Sequence, residues 1–168
     1  MHLQYWGFFL LLIVSFVTDI KSMKIPNKIT VPAMCLGVIF HFFIDGFTGF
    51  WRALEGGAVG FGIMLILYLC GAVGGGDVKL FGAIGTWVGT YLTLTTIMYS
   101  VFVAGLIGIA ILLWRKEALQ RIKRVFVSIF GAILLKSIVP IQANAKGQLQ
   151  FPFMLAVLPG AVIAFLYL

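Results

Sequence analysis

Long, continuous apolar runs separated by short polar segments dominate the pattern of the chain. The runs do not alternate between apolar and polar positions, as strands with one solvated face do, and their lengths suit helices. Residues 78–114 are nearly uncharged and exceed the roughly 20 residues of a membrane helix, so we divide them at a turn over 89–92. The pattern predicts six helices, over 3–20, 29–44, 54–73, the two halves of 78–114, and 151–168.

The segments between these runs are polar, glycine-rich or basic. "KSMKIPNK" connects the first and second runs, and "DGFTGFWR" is interpreted as a turn with interfacial aromatic residues. A basic segment, 115–124, precedes a shorter apolar run over 125–139. Its length and Lys136 favour an interfacial or shallow helix, and the sequence leaves open whether this run spans the membrane.

Composition places these helices in a membrane. The chain is 62% hydrophobic and 10% charged, against about half and about a quarter in soluble domains. Only helices and closed barrels span lipid, so we expect an all-α polytopic bundle of about six transmembrane helices. Its length suits a single membrane-embedded domain, 1–168. The first run lacks a basic start and an A-x-A-like cleavage site, so we expect it to be retained as the first helix.

The basic residues are unevenly distributed over the predicted loops. With alternating spans, 21–28, 74–79 and 115–150 fall on one side and hold all 12 Lys and Arg residues except Arg52. The positive-inside rule makes that side cytoplasmic and places the N-terminus outside. We therefore expect a multi-pass protein of the cell's inner (cytoplasmic) membrane. This orientation accounts for the formal charge of +7, so we expect contact with membrane lipid and none with nucleic acid.

Only five acidic residues are present, and three have local explanations. Asp45 precedes a glycine in the predicted outer turn, Glu55 begins the third helix, and Glu117 lies among basic residues. Asp19 and Asp77 differ because both fall at the cytoplasmic ends of apolar helices, at similar depth. Ionisable groups at membrane depth are costly and usually functional. For Asp77 a structural alternative stays open, since aspartate also caps helix N-termini.

Two carboxylates at one depth predict an aspartic dyad. Carboxylates that share a site cannot both ionise easily, so one can activate water while the other, protonated, polarises a carbonyl. The alternative is a small transporter or proton-conducting subunit that uses the same pair as a carboxylate relay. The cysteines and histidines have no metal-ligand spacing, and "GAVGGGDVK" matches no phosphate-binding loop. We therefore expect neither metal nor cofactor.

The residues around the two aspartates resemble a known family. Gly74-Gly75-Gly76-Asp77 matches the GxGD motif of membrane-embedded aspartic proteases, and "DIKSMKIPN" places an aspartate shortly before I-P-N. Together with "GGGDVKLFGAIGTWVG" and the C-terminal "FPFMLAVLPGA", these motifs make the chain similar to the type IV prepilin peptidases, including archaeal preflagellin peptidases. The resemblance covers nearly the whole chain.

The resemblance implies that Asp19 and Asp77 are the catalytic pair of a type IV pilus peptidase. Its partners would be prepilins or prepilin-like proteins, cut at the cytoplasmic membrane face between a short basic leader and a hydrophobic helix. Many bacterial relatives carry a further segment with paired CxxC motifs and also N-methylate the new amino terminus. This sequence shows no such segment, so we expect peptidase activity alone. It resembles both the short form associated with Flp/Tad-type pili and the archaeal form.

Several residues beside the aspartates are expected to position the substrate or shape the backbone. Pro26 disfavours helix at Ile25, and Asn27 could cap the next helix. Lys79 could either extend to the membrane interface or bias the charge of the pair. The glycines would let the chain turn sharply and approach a substrate backbone closely. The complete set is Ile25, Pro26, Asn27, Gly74, Gly75, Gly76 and Lys79.

Overall fold

The computed structural model describes residues 3–23, 25–114 and 153–167. These residues form four helices and no strand. The helices are α1 (Leu3–Ser22), α2 (Asn27–Leu69), α3 (Gly75–Trp114) and α4 (Met154–Leu166). The chain divides into two compact units, Met1–Ala104 with Pro152–Leu168, and Gly105–Phe151. The buried core and the cavity described below belong to the first unit.

Two of the helices are interrupted by a glycine in the left-handed region. Gly46 in α2 has φ 63° and ψ −142°, and Gly89 in α3 has φ 75° and ψ −179°. Both conformations suit glycine because it lacks a Cβ atom. The predicted division of 78–114 is therefore found at Gly89. The predicted turn over "DGFTGFWR" is reduced to one residue, since helical backbone resumes directly after Gly46.

The helices are as apolar as the composition predicts. Among the described residues, α1, α2 and α3 each contain a stretch long and apolar enough to cross a membrane, and α4 is a shorter apolar helix. The described residues are thus all-helical, as predicted, and their helices have the length and composition of membrane helices. The count of six spans, the orientation and the single domain stay predictions, and residues 115–150 lie outside the described part.

Glycines allow close contact between α2 and α3. A Cβ atom on Gly56 would overlap the carbonyl oxygen of Gly85, and one on Gly85 would overlap the carbonyl oxygen of Gly56. A Cβ atom on Gly60 would likewise overlap the carbonyl oxygen of Phe81. Small residues at membrane-helix interfaces permit such backbone contact. At Gly62, by contrast, nothing lies within 4 Å of the position that a Cβ atom would occupy.

This contact predicts a stability difference between two alanine substitutions. Gly85→Ala should destabilise the protein by about 1–3 kcal/mol, because its methyl group meets backbone that cannot move aside without separating the helices. Gly62→Ala should not, since its methyl group enters open space. Thermal unfolding of the two variants in one detergent checks this. Equal unfolding temperatures would show that the two helices tolerate a wider separation.

Trp87 connects α2 to the break in α3 at Gly89. The indole Nε1–H of Trp87 donates to the carbonyl oxygen of Ala33 at 2.9 Å. The Nε2–H of buried His41 donates to the carbonyl oxygen of Trp87 at 3.0 Å. Trp87 lies two residues before Gly89, where the backbone of α3 leaves helical φ and ψ values. His41 therefore satisfies a backbone group at the break, which gives this buried histidine a structural role.

All four helices contribute to the buried core. Its largest fully buried side chains include Phe8 of α1, Met64 of α2, Phe81 of α3 and Met154 of α4. A Cβ atom on Gly160 of α4 would come within 2.7 Å of the backbone nitrogen of Ser100. This packing brings the end of α1, the start of α3 and the start of α4 to one place.

Candidate active site

Asp19 lies in the last turn of α1 and is only 5% exposed. The helix ends at Ser22, and the next residue, Met23, has φ 50° while its N–H still donates to the Asp19 carbonyl oxygen at 2.8 Å. The Asp19 side chain accepts a hydrogen bond at Oδ2 from the backbone N–H of Met154, at 3.1 Å. Met154 is the first residue of α4, so Asp19 satisfies a free donor at the start of another helix.

Asp77 is the third residue of α3 and is 7% exposed. Its Oδ2 accepts a hydrogen bond from the N–H of Gly74 at 3.1 Å. This is the backward half of a capping box, in which an acidic side chain returns to the N–H that precedes the helix. The capping alternative considered for Asp77 is therefore found in the structure. It engages one carboxylate oxygen and leaves Oδ1 without a hydrogen bond from the described residues.

The two carboxylates line one cavity of about 270 Å³. The cavity wall comes from the end of α1, the connection to α2 and the start of α3. It consists of Asp19, Met23, Ile25, Asn27, Gly74, Gly75, Gly76, Asp77 and Lys79.

All the residues predicted for the site line this cavity, with the exception of Pro26. Pro26 does not line the cavity and instead occupies the N-cap position of α2, with φ −71° and ψ 142°. Its extended backbone ends the connection that begins at Met23. Met23 is a lining residue that sequence reasoning missed. Its left-handed backbone gives no sequence signal, because methionine rarely adopts that conformation.

The three glycines before Asp77 have separate roles. The sharp turn uses Gly71, which has φ +76°, so the permissive backbone expected of 74–76 lies earlier in the chain. A Cβ on Gly74 would come within 3.2 Å of Asp77 Oδ2, and one on Gly76 within 3.3 Å of the Ile25 backbone nitrogen. A Cβ on Gly75 would make only ordinary contact with the Tyr68 ring, at 3.6 Å.

Lys79 forms a hydrogen bond rather than extending freely towards the interface. Its Nζ donates to Oδ1 of Asn27 at 2.8 Å. The bond joins the first residue of α2 to the first turns of α3. Lys79 is half-buried, and among the described residues it is the only cation that lines the cavity.

The remaining acidic residues of the described part lie away from this cavity. Asp45 and Arg52 form an exposed ion pair, with Oδ2 and Nη1 3.7 Å apart, and Glu55 is exposed. Glu117 lies outside the described residues. The turn predicted at Asp45 agrees with the break at Gly46, but Glu55 lies well inside the helical segment that resumes after Gly46, so its predicted place at a helix start is wrong.

Two buried carboxylates line the cavity, and their backbone hydrogen-bond donors lie at the starts of two different helices. Each has one oxygen held by a backbone N–H, and each keeps a second oxygen free of hydrogen bonds from the described residues. Such a pair can share a proton and orient a water molecule between them. No cluster of three potential metal ligands occurs within residues 3–23, 25–114 and 153–167. Metal independence itself stays a prediction.

Comparison with known proteins identifies the family of the chain. Residues 6–112 match the model of the type IV leader peptidase family. A prepilin leader peptidase/N-methyltransferase of Bacillus subtilis is 34% identical over 63% of this chain and 43% of its own length. A protein of the same name from Aeromonas hydrophila is 28% identical over 67% of this chain and 43% of its own length.

An archaeal relative matches a shorter stretch. Prepilin peptidase EppA of Methanocaldococcus jannaschii is 33% identical over 45% of this chain and 21% of its own length. The aligned part spans less than half the length of each of these relatives. No solved structure matches the chain. With its two buried aspartates in one cavity and a family match over more than half its length, the chain belongs to the type IV leader peptidase family.

Proposed function

We propose that this protein is a membrane aspartic endopeptidase that removes the leader of prepilins or prepilin-like proteins. The observation that carries the proposal is the shared cavity of Asp19 and Asp77, in which both carboxylates are more than nine-tenths buried. Burial of two carboxylates is destabilising. Their use as a general acid and base explains why the protein contains them. The names of the relatives, prepilin leader peptidase/N-methyltransferase and prepilin peptidase, indicate the substrate class.

The reaction needs only the two carboxyl groups, water and the peptide. The ionised carboxylate takes a proton from water as the water oxygen bonds to the carbonyl carbon. The protonated carboxyl group donates its proton to the carbonyl oxygen, which gives a neutral tetrahedral diol. In the second step the leaving nitrogen takes the proton held by the first carboxyl group, and the C–N bond breaks. A diol hydroxyl returns its proton to the second carboxylate as the carbonyl re-forms.

We further propose that the site faces the cytoplasm in a six-span bundle with the N-terminus outside. Six helical segments in the described part, divided at Gly46 and Gly89, support the count. Exposed Lys21 and Lys28 lie close in sequence to Asp19 and Asn27, which supports a cytoplasmic position for this end of the bundle. A basic leader would meet the two carboxylates there, next to a hydrophobic segment kept in lipid.

Peptide cleavage without methyl transfer is the proposed activity of this chain. We infer this because the two cysteines of the sequence, Cys35 and Cys70, form no CxxC motif. Mass spectrometry of the mature pilin, after reaction with S-adenosylmethionine present, should show an unmodified amino terminus. A methylated terminus produced by the purified protein alone would contradict this part of the proposal.

Leader removal by the purified protein tests the proposed function directly. The protein in detergent should convert a prepilin to its mature length, with cleavage ahead of the hydrophobic helix shown by N-terminal sequencing. A carboxylate relay would instead give proton flux across proteoliposomes and leave the prepilin intact. That combination of results would favour the transporter alternative.

Leader removal should also be insensitive to chelators and to thiol reagents. The proposed reaction uses carboxyl groups alone, and Cys35 and Cys70 are exposed and absent from the cavity wall. We expect full activity in EDTA and in the Cys35→Ser/Cys70→Ser variant. Activity that EDTA abolishes and zinc restores would refute a purely carboxylate mechanism.

A further inference from the structure

We propose that Asn27 and Lys79 form a positioning pair that holds the α1–α2 connection against the start of α3 and thereby fixes the placement of Asp19 relative to Asp77. The proposal rests on the proposed function, because it assigns the pair a part in the same cavity. Neither residue needs to touch the substrate for this role. The sequence motifs contain both residues but give no indication that they contact each other.

The connection between α1 and α2 is short and meets α3 at two points. Only residues 23–26 separate Ser22, where α1 ends, from Asn27, where α2 begins. Ile25 is buried against Gly76, at a distance that leaves no free space for a Cβ atom. Asn27 makes the second attachment through its 2.8 Å hydrogen bond from Lys79.

These attachments lie directly beside the catalytic residues. Ile25 and Asn27 follow Asp19 on the chain by a few residues, and Gly76 and Lys79 flank Asp77. All of them line the same cavity. A shift of the connection along α3 would therefore change the separation of the two carboxylates. A dyad needs both groups within reach of one water molecule and one carbonyl group, and small displacements at such sites reduce the rate strongly.

The test is a double-mutant cycle on leader removal by the purified protein. Asn27→Ala and Lys79→Met should each lower kcat by about tenfold, with KM changed much less, because geometry at the reacting atoms is lost while binding area is kept. The double variant should be no slower than the slower single variant, since both changes break one bond. Lys79→Arg should recover most of the rate. Lys28→Met, which removes an exposed adjacent lysine, is the matched control and should match wild type.

Other outcomes would overturn the proposal. Additive losses in the double variant would show that the two residues act independently. Wild-type kcat in Asn27→Ala combined with a large loss in Lys79→Met would indicate that only the lysine charge matters. A wild-type protein that cleaves no prepilin would instead refute the proposed function.

A second measurement examines the pair without catalysis. Spin labels at Lys21→Cys and Gly75→Cys, in a Cys35→Ser/Cys70→Ser background, report the separation between the end of α1 and the start of α3. Asn27→Ala should broaden or shift the measured distance distribution, and Lys28→Met should not. Identical distributions in all three proteins would overturn the positioning role whether or not the protein cleaves prepilins.

Discussion

Asp19→Asn and Asp77→Asn should each lower the rate of leader removal by about 10²–10⁴-fold, the usual contribution of a positioned acid or base. Asparagine can neither take a proton from water nor give one to the carbonyl oxygen. Its side-chain oxygen still accepts the hydrogen bond from Met154 N–H or Gly74 N–H, so the helix starts remain satisfied. Folding and membrane insertion should therefore persist in both variants.

Matched substitutions separate this effect from a general loss of charge. Asp45→Asn and Glu55→Gln remove exposed carboxylates outside the cavity and should retain activity. Asp77→Ala should lose both activity and about 0.5–2 kcal/mol of stability, because it removes the cap along with the acid. Wild-type cleavage by Asp77→Asn would exclude this carboxylate from the chemistry.

Alanine substitutions through the three glycines before Asp77 should give unequal results. Gly76→Ala should reduce kcat by about tenfold or more, since its methyl group presses on the Ile25 backbone, which Pro26 restricts. Gly74→Ala should also reduce kcat, because the methyl group meets the carboxylate oxygen that the Gly74 N–H holds. Gly75→Ala should stay close to wild type, since it makes only ordinary contact with Tyr68.

Initial rates of leader removal for the three variants, at matched amounts of inserted protein, measure this order. The middle position of the GxGD motif is the variable one, and here it is the position with room for a side chain. Equal losses at all three positions would show that backbone freedom, rather than the neighbours of each glycine, sets the requirement.

The helical fold could be predicted because long, continuous apolar runs are typical of membrane helices. The break in the long uncharged stretch was also predictable, since length demanded it and Gly89 permits it. The extent of the break at Gly46 could not be predicted. Turn residues and aromatics dominate "DGFTGFWR", yet helix resumes after a single left-handed glycine. Local composition does not reveal how many residues leave the helix.

The pairing of Asp19 with Asp77 followed from their common depth and from the family motifs. Their hydrogen-bond partners did not follow. Met154 lies far away in the sequence, and nothing local connects its N–H to Asp19. The contact between Lys79 and Asn27 is likewise tertiary, as is the contact of Gly76 with Ile25. Sequence motifs identify the residue types of such a site, whereas packing decides which of them touch.

The most direct test of a shared catalytic site compares Asp19→Asn/Asp77→Asn with the two single variants in leader removal. Residues that act as one unit give losses that do not add. We predict that the double variant cleaves no more slowly than the slower single variant. A double variant slowed by the product of the two single effects would show that the carboxylates act independently and would contradict the dyad.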